Sequence, residues 1–98
     1  MPWMTYSLHV TPEAEEDLRR ILDSYPSELR RAEAGSAIHA ALQKLAANPA
    51  LAVQSMLGRR TYEFSFRADG VMHYWAITFE CVESPRTLVV TQVFRPAM

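Results

Sequence analysis

The stretch Tyr62-Glu63-Phe64-Ser65-Phe66-Arg67-Ala68-Asp69-Gly70 decides the fold. Tyr62, Phe64 and Phe66 alternate with Glu63, Ser65 and Arg67, the period-2 pattern of a strand with one apolar and one polar face. Ala68-Asp69-Gly70 then supplies a turn, since aspartate and glycine tolerate backbone angles that other residues avoid. Residues 71–80 read as a second strand, rich in aromatic and β-branched side chains. Glu83-Ser84-Pro85 turns the chain again, and residues 87–95 form a third strand through Leu88, Val89, Val90, Val93 and Phe94. Three tandem strands with short connections pair as an antiparallel meander.

Upstream, residues 50–58 read as a connector ending near Gly58. Before it, residues 28–47 carry Leu29, Ala32, Ile38, Ala41, Leu42 and Leu45 in a helical pattern, stopped by Asn48-Pro49 because a residue preceding proline avoids the helical region. Gly35-Ser36 marks an expected break, glycine costing about 1 kcal/mol against alanine in a helix interior. Pro26 separates this segment from an earlier helix. Thr11 is its N-cap, Pro12 takes the first helical position, and Glu13, Glu15, Glu16 and Asp17 favour the positive end of its dipole. Ala14, Leu18, Ile21, Leu22 and Tyr25 line one face. Residues 3–10 alternate once more, with Tyr6, Leu8 and Val10 on one side. The order β-α-α-β-β-β predicts an α+β fold with two helices packed on one face of a four-stranded, mainly antiparallel sheet.

Ninety-eight residues suffice for a single domain, expected to span 1–98. A chain 49% hydrophobic and 21% charged is not a disordered one. No apolar run approaches the ~18–20 residues of a membrane span, and no basic-then-apolar signal opens the chain, so the expected location is the cytoplasm, away from membrane. Cys81, the single cysteine, excludes an intrachain disulfide and a cysteine-based zinc cluster, and reads as a turn residue. His9, His39 and His73 lie far apart without metal-ligand spacing, and the glycines are scattered, so neither metal nor cofactor is expected. A net charge of −1 argues against an all-over nucleic-acid binder. Arg59, Arg60, Arg67, Arg86 and Arg95 nevertheless gather in the second half, where a local basic surface can form.

Several stretches taken in order resemble the RelE/ParE superfamily of bacterial type II toxin–antitoxin toxins, over about residues 6–95. They are Tyr6-x-Leu8-x-Val10-Thr11-Pro12-x-Ala14-x-x-Asp17-Leu18, Leu42-x-x-Leu45-x-x-Asn48-Pro49, Leu57-Gly58 and the opening stretch from Tyr62 to Gly70. The last looks most like the phage-derived, HigB-like branch. The resemblance implies a small toxin held inactive by a cognate antitoxin. In the RelE and HigB branches it further implies metal-independent cleavage of mRNA on the ribosome. There the 2′-hydroxyl attacks the adjacent phosphate, which calls for a base, a phosphate clamp and an acid. In the ParE branch the implied target is DNA gyrase.

Carried over by position, the resemblance makes Arg67 and Arg95 phosphate contacts and His73 a proton-transfer residue. Arg59 and Arg60 would touch the RNA backbone, with Glu63 and Gln92 in support. Plainer roles stand beside these: solvated arginines, a histidine at the core margin alternating with Val71, Trp75, Ile77 and Phe79, and Tyr62 in the core. Trp3 or Tyr74 is available to stack on a base. The chain departs from the family pattern in having Ser65 where a phosphate-clamping arginine is expected, Met72 or His73 where the next strand usually offers an arginine, and Gln92, Arg95 and Pro96 near the C-terminus. Serine cannot make arginine's bidentate, charge-assisted contact. The alternative is therefore a non-enzymatic toxin that binds gyrase, or a relative that binds only its antitoxin.

Overall fold

A computed structural model describes residues 5–54, 58–68 and 70–96. The roles read for Trp3, Leu57 and Asp69 lie outside them. Strand β1 (Ser7–Val10) leads into helix α1 (Pro12–Asp23), helix α2 (Glu28–Ala47), a 3-10 turn (Pro49–Leu51) and the short strand β2 (Val53–Gln54). Strands β3 (Arg60–Ala68), β4 (Val71–Glu83) and β5 (Arg86–Phe94) follow. The sheet order is β1-β5-β4-β3-β2. The last three strands form the expected antiparallel meander, while β1 joins β5 in parallel, Leu8 opposite Leu88.

The helix starts obey local chemistry. The Thr11 hydroxyl accepts the Ala14 N–H at 3.2 Å, with Pro12 at the first position, and the Ser27 hydroxyl accepts the Arg30 N–H at 3.2 Å. Each cap satisfies an N–H that the helix cannot. α2 ends where Asn48-Pro49 dictates.

Three expectations change. The sheet has five strands and not four, because Val53 and Gln54 pair with Thr61 and Arg60. Both side chains on β2 are exposed, so no hydrophobic alternation announces it; only backbone pairing makes it a strand. α2 runs unbroken through Gly35-Ser36. Ala34, Ile38, Ala41 and Leu45 are buried along one face, and burying such side chains is worth about 1.5–3 kcal/mol for each large one, more than the glycine penalty. Cys81 is not in a turn: β4 continues to Glu83, and half-buried Cys81 sits opposite Leu88.

Both helices cover one face of the sheet. Ala14, Ala34, Ile38 and Leu45 meet Trp75, Ile77, Phe79, Leu88 and Val90 there. Register assigns β3 to the same division: Tyr62 opposite Ile77, Phe64 opposite Trp75 and Phe66 opposite His73 on the helix side. Glu63, Ser65, Arg67, Tyr74, Ala76 and Thr78 occupy the other side. Where β1 stops at Val10, α1 closes the edge of β5. Thr11 N–H donates to the Val90 carbonyl at 3.0 Å, and Val93 N–H donates to the Asp17 carboxylate at 3.1 Å. This replaces ladder bonds that an edge strand would otherwise lack. A register shift between Thr78 and Phe79 leaves Thr91 out of the ladder, and its hydroxyl donates to the Thr78 carbonyl at 3.3 Å.

Candidate functional site on the helix-free sheet face

The helix-free face carries a trough because the strands end unevenly. β5 stops at Phe94, opposite Ala76, whereas β4 begins at Val71. The first residues of β4 are bordered instead by Arg95 and Pro96. A hollow of about 330 Å³ is lined by Glu63, Ser65, Tyr74 and Pro96 among others. An adjoining one of about 210 Å³ shares Tyr74 and Pro96 and adds Met72, His73 and Arg95.

Three sequence candidates therefore border the trough, Glu63 lining it directly, and His73 and Arg95 with side chains held on the helix side. His73 points to the helix side. Its ring stacks on Phe66 with centroids 5.5 Å apart and meets Tyr25 edge-on at 5.1 Å. Its Nε2 is buried and has no hydrogen-bond partner among the described residues. The Arg95 guanidinium lies 4.8 Å from the Tyr25 ring centroid and donates to the Ser24 hydroxyl at 3.0 Å.

Arg67 lies beside the trough, paired in the ladder with Met72, which lines it. Its guanidinium is 3.4 Å from the Gly70 carbonyl, and it also borders a hollow against Glu33 and Ser36 of α2. Arg59 and Arg60 belong to the far end of β3, and Gln92 lies two residues before the end of β5, level with Thr61 and Thr78. Arg59 Nε is 3.5 Å from a Glu80 oxygen, Arg60 donates to the Ala52 carbonyl at 3.4 Å, and Gln92 pairs with Thr78. Arg60 and Arg67 occupy opposite ends of β3, roughly 23 Å apart at about 3.3 Å per residue.

The sequence offered Tyr74 only as a ring to stack on a base, not as a proton donor, and Pro96 only as part of the C-terminal departure from the family pattern. Tyr74, 44% exposed, interrupts an apolar run on the face that carries Ser65, and that parity was its only signal. Pro96 had no signal for the trough, since its place there depends on where β5 ends. Among the described residues, no three His, Cys, Asp or Glu side chains converge to hold a metal ion, and no helix is long and apolar enough to cross a membrane. The trough offers the Glu63 carboxylate and the Tyr74 phenol, groups suited to moving a proton, with Arg67 beside it and the Arg95 guanidinium held round the strand edge on Tyr25 and Ser24.

Two helices on one face of a mixed five-stranded sheet are an arrangement shared with solved RelE toxin structures. The chain is similar to the toxin–antitoxin complex RelBE2 from Mycobacterium tuberculosis, with 17% identity and a TM-score of 0.62, over 97% of this chain and 95% of that one. It is also similar to an arginine-to-alanine double mutant of the E. coli toxin RelE in the free state, with 15% identity and a TM-score of 0.59, over 94% of this chain and 84% of that one. No protein-family model and no curated protein sequence matches it. At these identities the likeness is one of fold.

Proposed function

We propose that the protein is the toxin of a bacterial type II toxin–antitoxin pair. On this reading a cognate antitoxin restrains it, and it acts in the cytoplasm by cutting mRNA on the ribosome in the manner of the HigB-like branch. The observation that carries the reading is the fold shared with RelE toxins over nearly the whole chain, joined to a trough with carboxylate and phenol at one end of the open face and Arg67 beside it.

In this mechanism Arg67, joined by Arg95 once it swings off Tyr25 and Ser24, holds the scissile phosphate and offsets charge that builds on it during attack. Glu63 takes the proton of the 2′-hydroxyl as its oxygen bonds to phosphorus. Tyr74 supplies the proton to the departing 5′-oxygen, each transfer being worth about 10²–10⁴ in rate. His73, with Nε2 turned into the aromatic rings, props this end of β4 and does not move a proton.

One observation favours a second reading, a toxin that binds gyrase or a relative that binds only its antitoxin: the residue opposite Tyr74 is Ser65, which brings no charge to a phosphate. Mapping 5′ ends of cellular mRNA minutes after the protein is induced alone separates the two. New ends in register with codons support cleavage. Arrested growth with unchanged ends and an induced DNA-damage response would move the assignment to gyrase.

A further inference from the structure

The outer edge of β3 is left unpaired among the described residues after Arg60 and Thr61, which β2 covers. The open stretch is therefore residues 62–67, Ala68 being fully buried, and Ser65 lies near its middle. An exposed edge of this kind is a template for another strand. The geometry points to a second copy of this chain as its occupant, paired antiparallel across a two-fold axis through Ser65.

Three features select that partner. About Ser65, Glu63 of one copy faces Arg67 of the other, twice over, so the edge is complementary in charge to itself; centring on Glu63 instead would set like charges against each other. The same register sets Phe64 against the second copy's Phe66 and Tyr62 against small, buried Ala68. These rings already form a stacked ladder along the strand, Tyr62 to Phe64 at 5.7 Å and Phe64 to Phe66 at 6.3 Å, and each is only half-buried. A second ladder beside them removes that apolar edge from water. Pairing also stops where β2 of each copy begins, so nothing already paired is displaced. Beside the edge, α2 presents Ala32, Ser36 and Ala37, with Glu33 the one long side chain among them. Because the axis is perpendicular to the sheet, both helix-free faces end on one side as a continuous surface. This inference does not depend on the proposed function.

Sedimentation equilibrium on the purified chain tests it, from micromolar to hundreds of micromolar. The expected result is a concentration-dependent dimer. Either Glu63→Arg or Arg67→Glu should weaken it about tenfold or more, since both cross-strand pairs become repulsive. Combining the two substitutions should restore it. Ser65→Cys, in a Cys81→Ser background, provides a readout that does not depend on charge. Directly opposed residues in an antiparallel ladder have Cα atoms about 4.5–5.5 Å apart, within disulfide range, so a linked dimer should form on mild oxidation. A monomer at every concentration, or a dimer unaffected by both single reversals, overturns the inference and leaves the edge to a strand of a different chain.

Discussion

Trp75 Nε1 donates a hydrogen bond to the Tyr25 hydroxyl at 3.0 Å, with the two ring systems nearly parallel at 2° and both residues buried. Tyr25 lies just after α1 and Trp75 in the middle of β4, so this contact ties the inter-helix turn to the sheet. The same Tyr25 ring carries Arg95 and braces His73. One residue of the turn thus supports the rim of the trough.

Tyr25→Phe keeps the ring and removes the acceptor, stranding the indole N–H in the core. The expected loss is about 1–3 kcal/mol. Urea unfolding should reveal a lower midpoint with an unchanged slope; no change in midpoint would mean that the bond contributes nothing.

Replacing Arg67 and Arg95 together by alanine should relieve growth arrest and abolish new mRNA 5′ ends while circular dichroism stays native. Loss of one such contact can cost about 10²–10³ in rate. Arrest that persists in the folded double mutant would remove both arginines from the mechanism.

His73→Phe retains a ring between Phe66 and Tyr25 and deletes a buried nitrogen that lacks a partner. Stability should hold or rise by up to about 1 kcal/mol, with cleavage preserved. If cleavage collapses in a protein with an unchanged melting temperature, His73 takes part in proton transfer after all.

Tyr6 donates to both oxygens of Glu83, at 2.7 and 2.9 Å. That hydrogen bond, helped by desolvation and by the nearby negative charge, raises the phenol above its ordinary value of 10.0. The neutral phenol is the form that the fold favours. Its contribution is therefore complete below about pH 10 and lost as pH climbs through the raised value. Wild type should lose stability in that alkaline window more steeply than Tyr6→Phe, as followed by thermal melts at stepped pH. Parallel curves for the two would refute the linkage.

Gly35 lies inside α2, and a Cβ built there meets nothing within 4 Å. Gly35→Ala should stabilise the chain by about 0.5–1 kcal/mol, read as a higher unfolding midpoint. A decrease would mean that the helix departs from regular geometry at this point.

Much of the fold was legible because its signals are local. Thr11-Pro12 starts a helix with its own hydroxyl and ring, Asn48-Pro49 ends one through the backbone of a single residue, and the Tyr62, Phe64, Phe66 alternation needs only the pleat of a strand. The site was less legible. The strand containing His73 was readable, but its apolar neighbours left its role open, and only the pairing of Phe66 with His73 assigned the ring to the helix side. Arg59 and Arg60 looked like companions of Arg67, yet strand length carries them to the other end of β3, and Gln92, read from its place near the C-terminus, pairs with Thr78 and lines neither hollow of the trough.

The sequence by itself thus determined the order of helices and strands, where the helices start and stop, and which side chains on β3 share a face. Tertiary structure alone decided that β1 enters the sheet in parallel beside β5, that β2 caps one end of β3, and that Glu63, Tyr74, Arg95 and Pro96 border one trough. The division follows from the range of the forces. Capping, proline geometry and pleat act within a few residues. Strand order and the trough depend on contacts between distant segments, such as Tyr25 with Trp75 and Thr11 with Val90, whose free energy no short window of sequence contains.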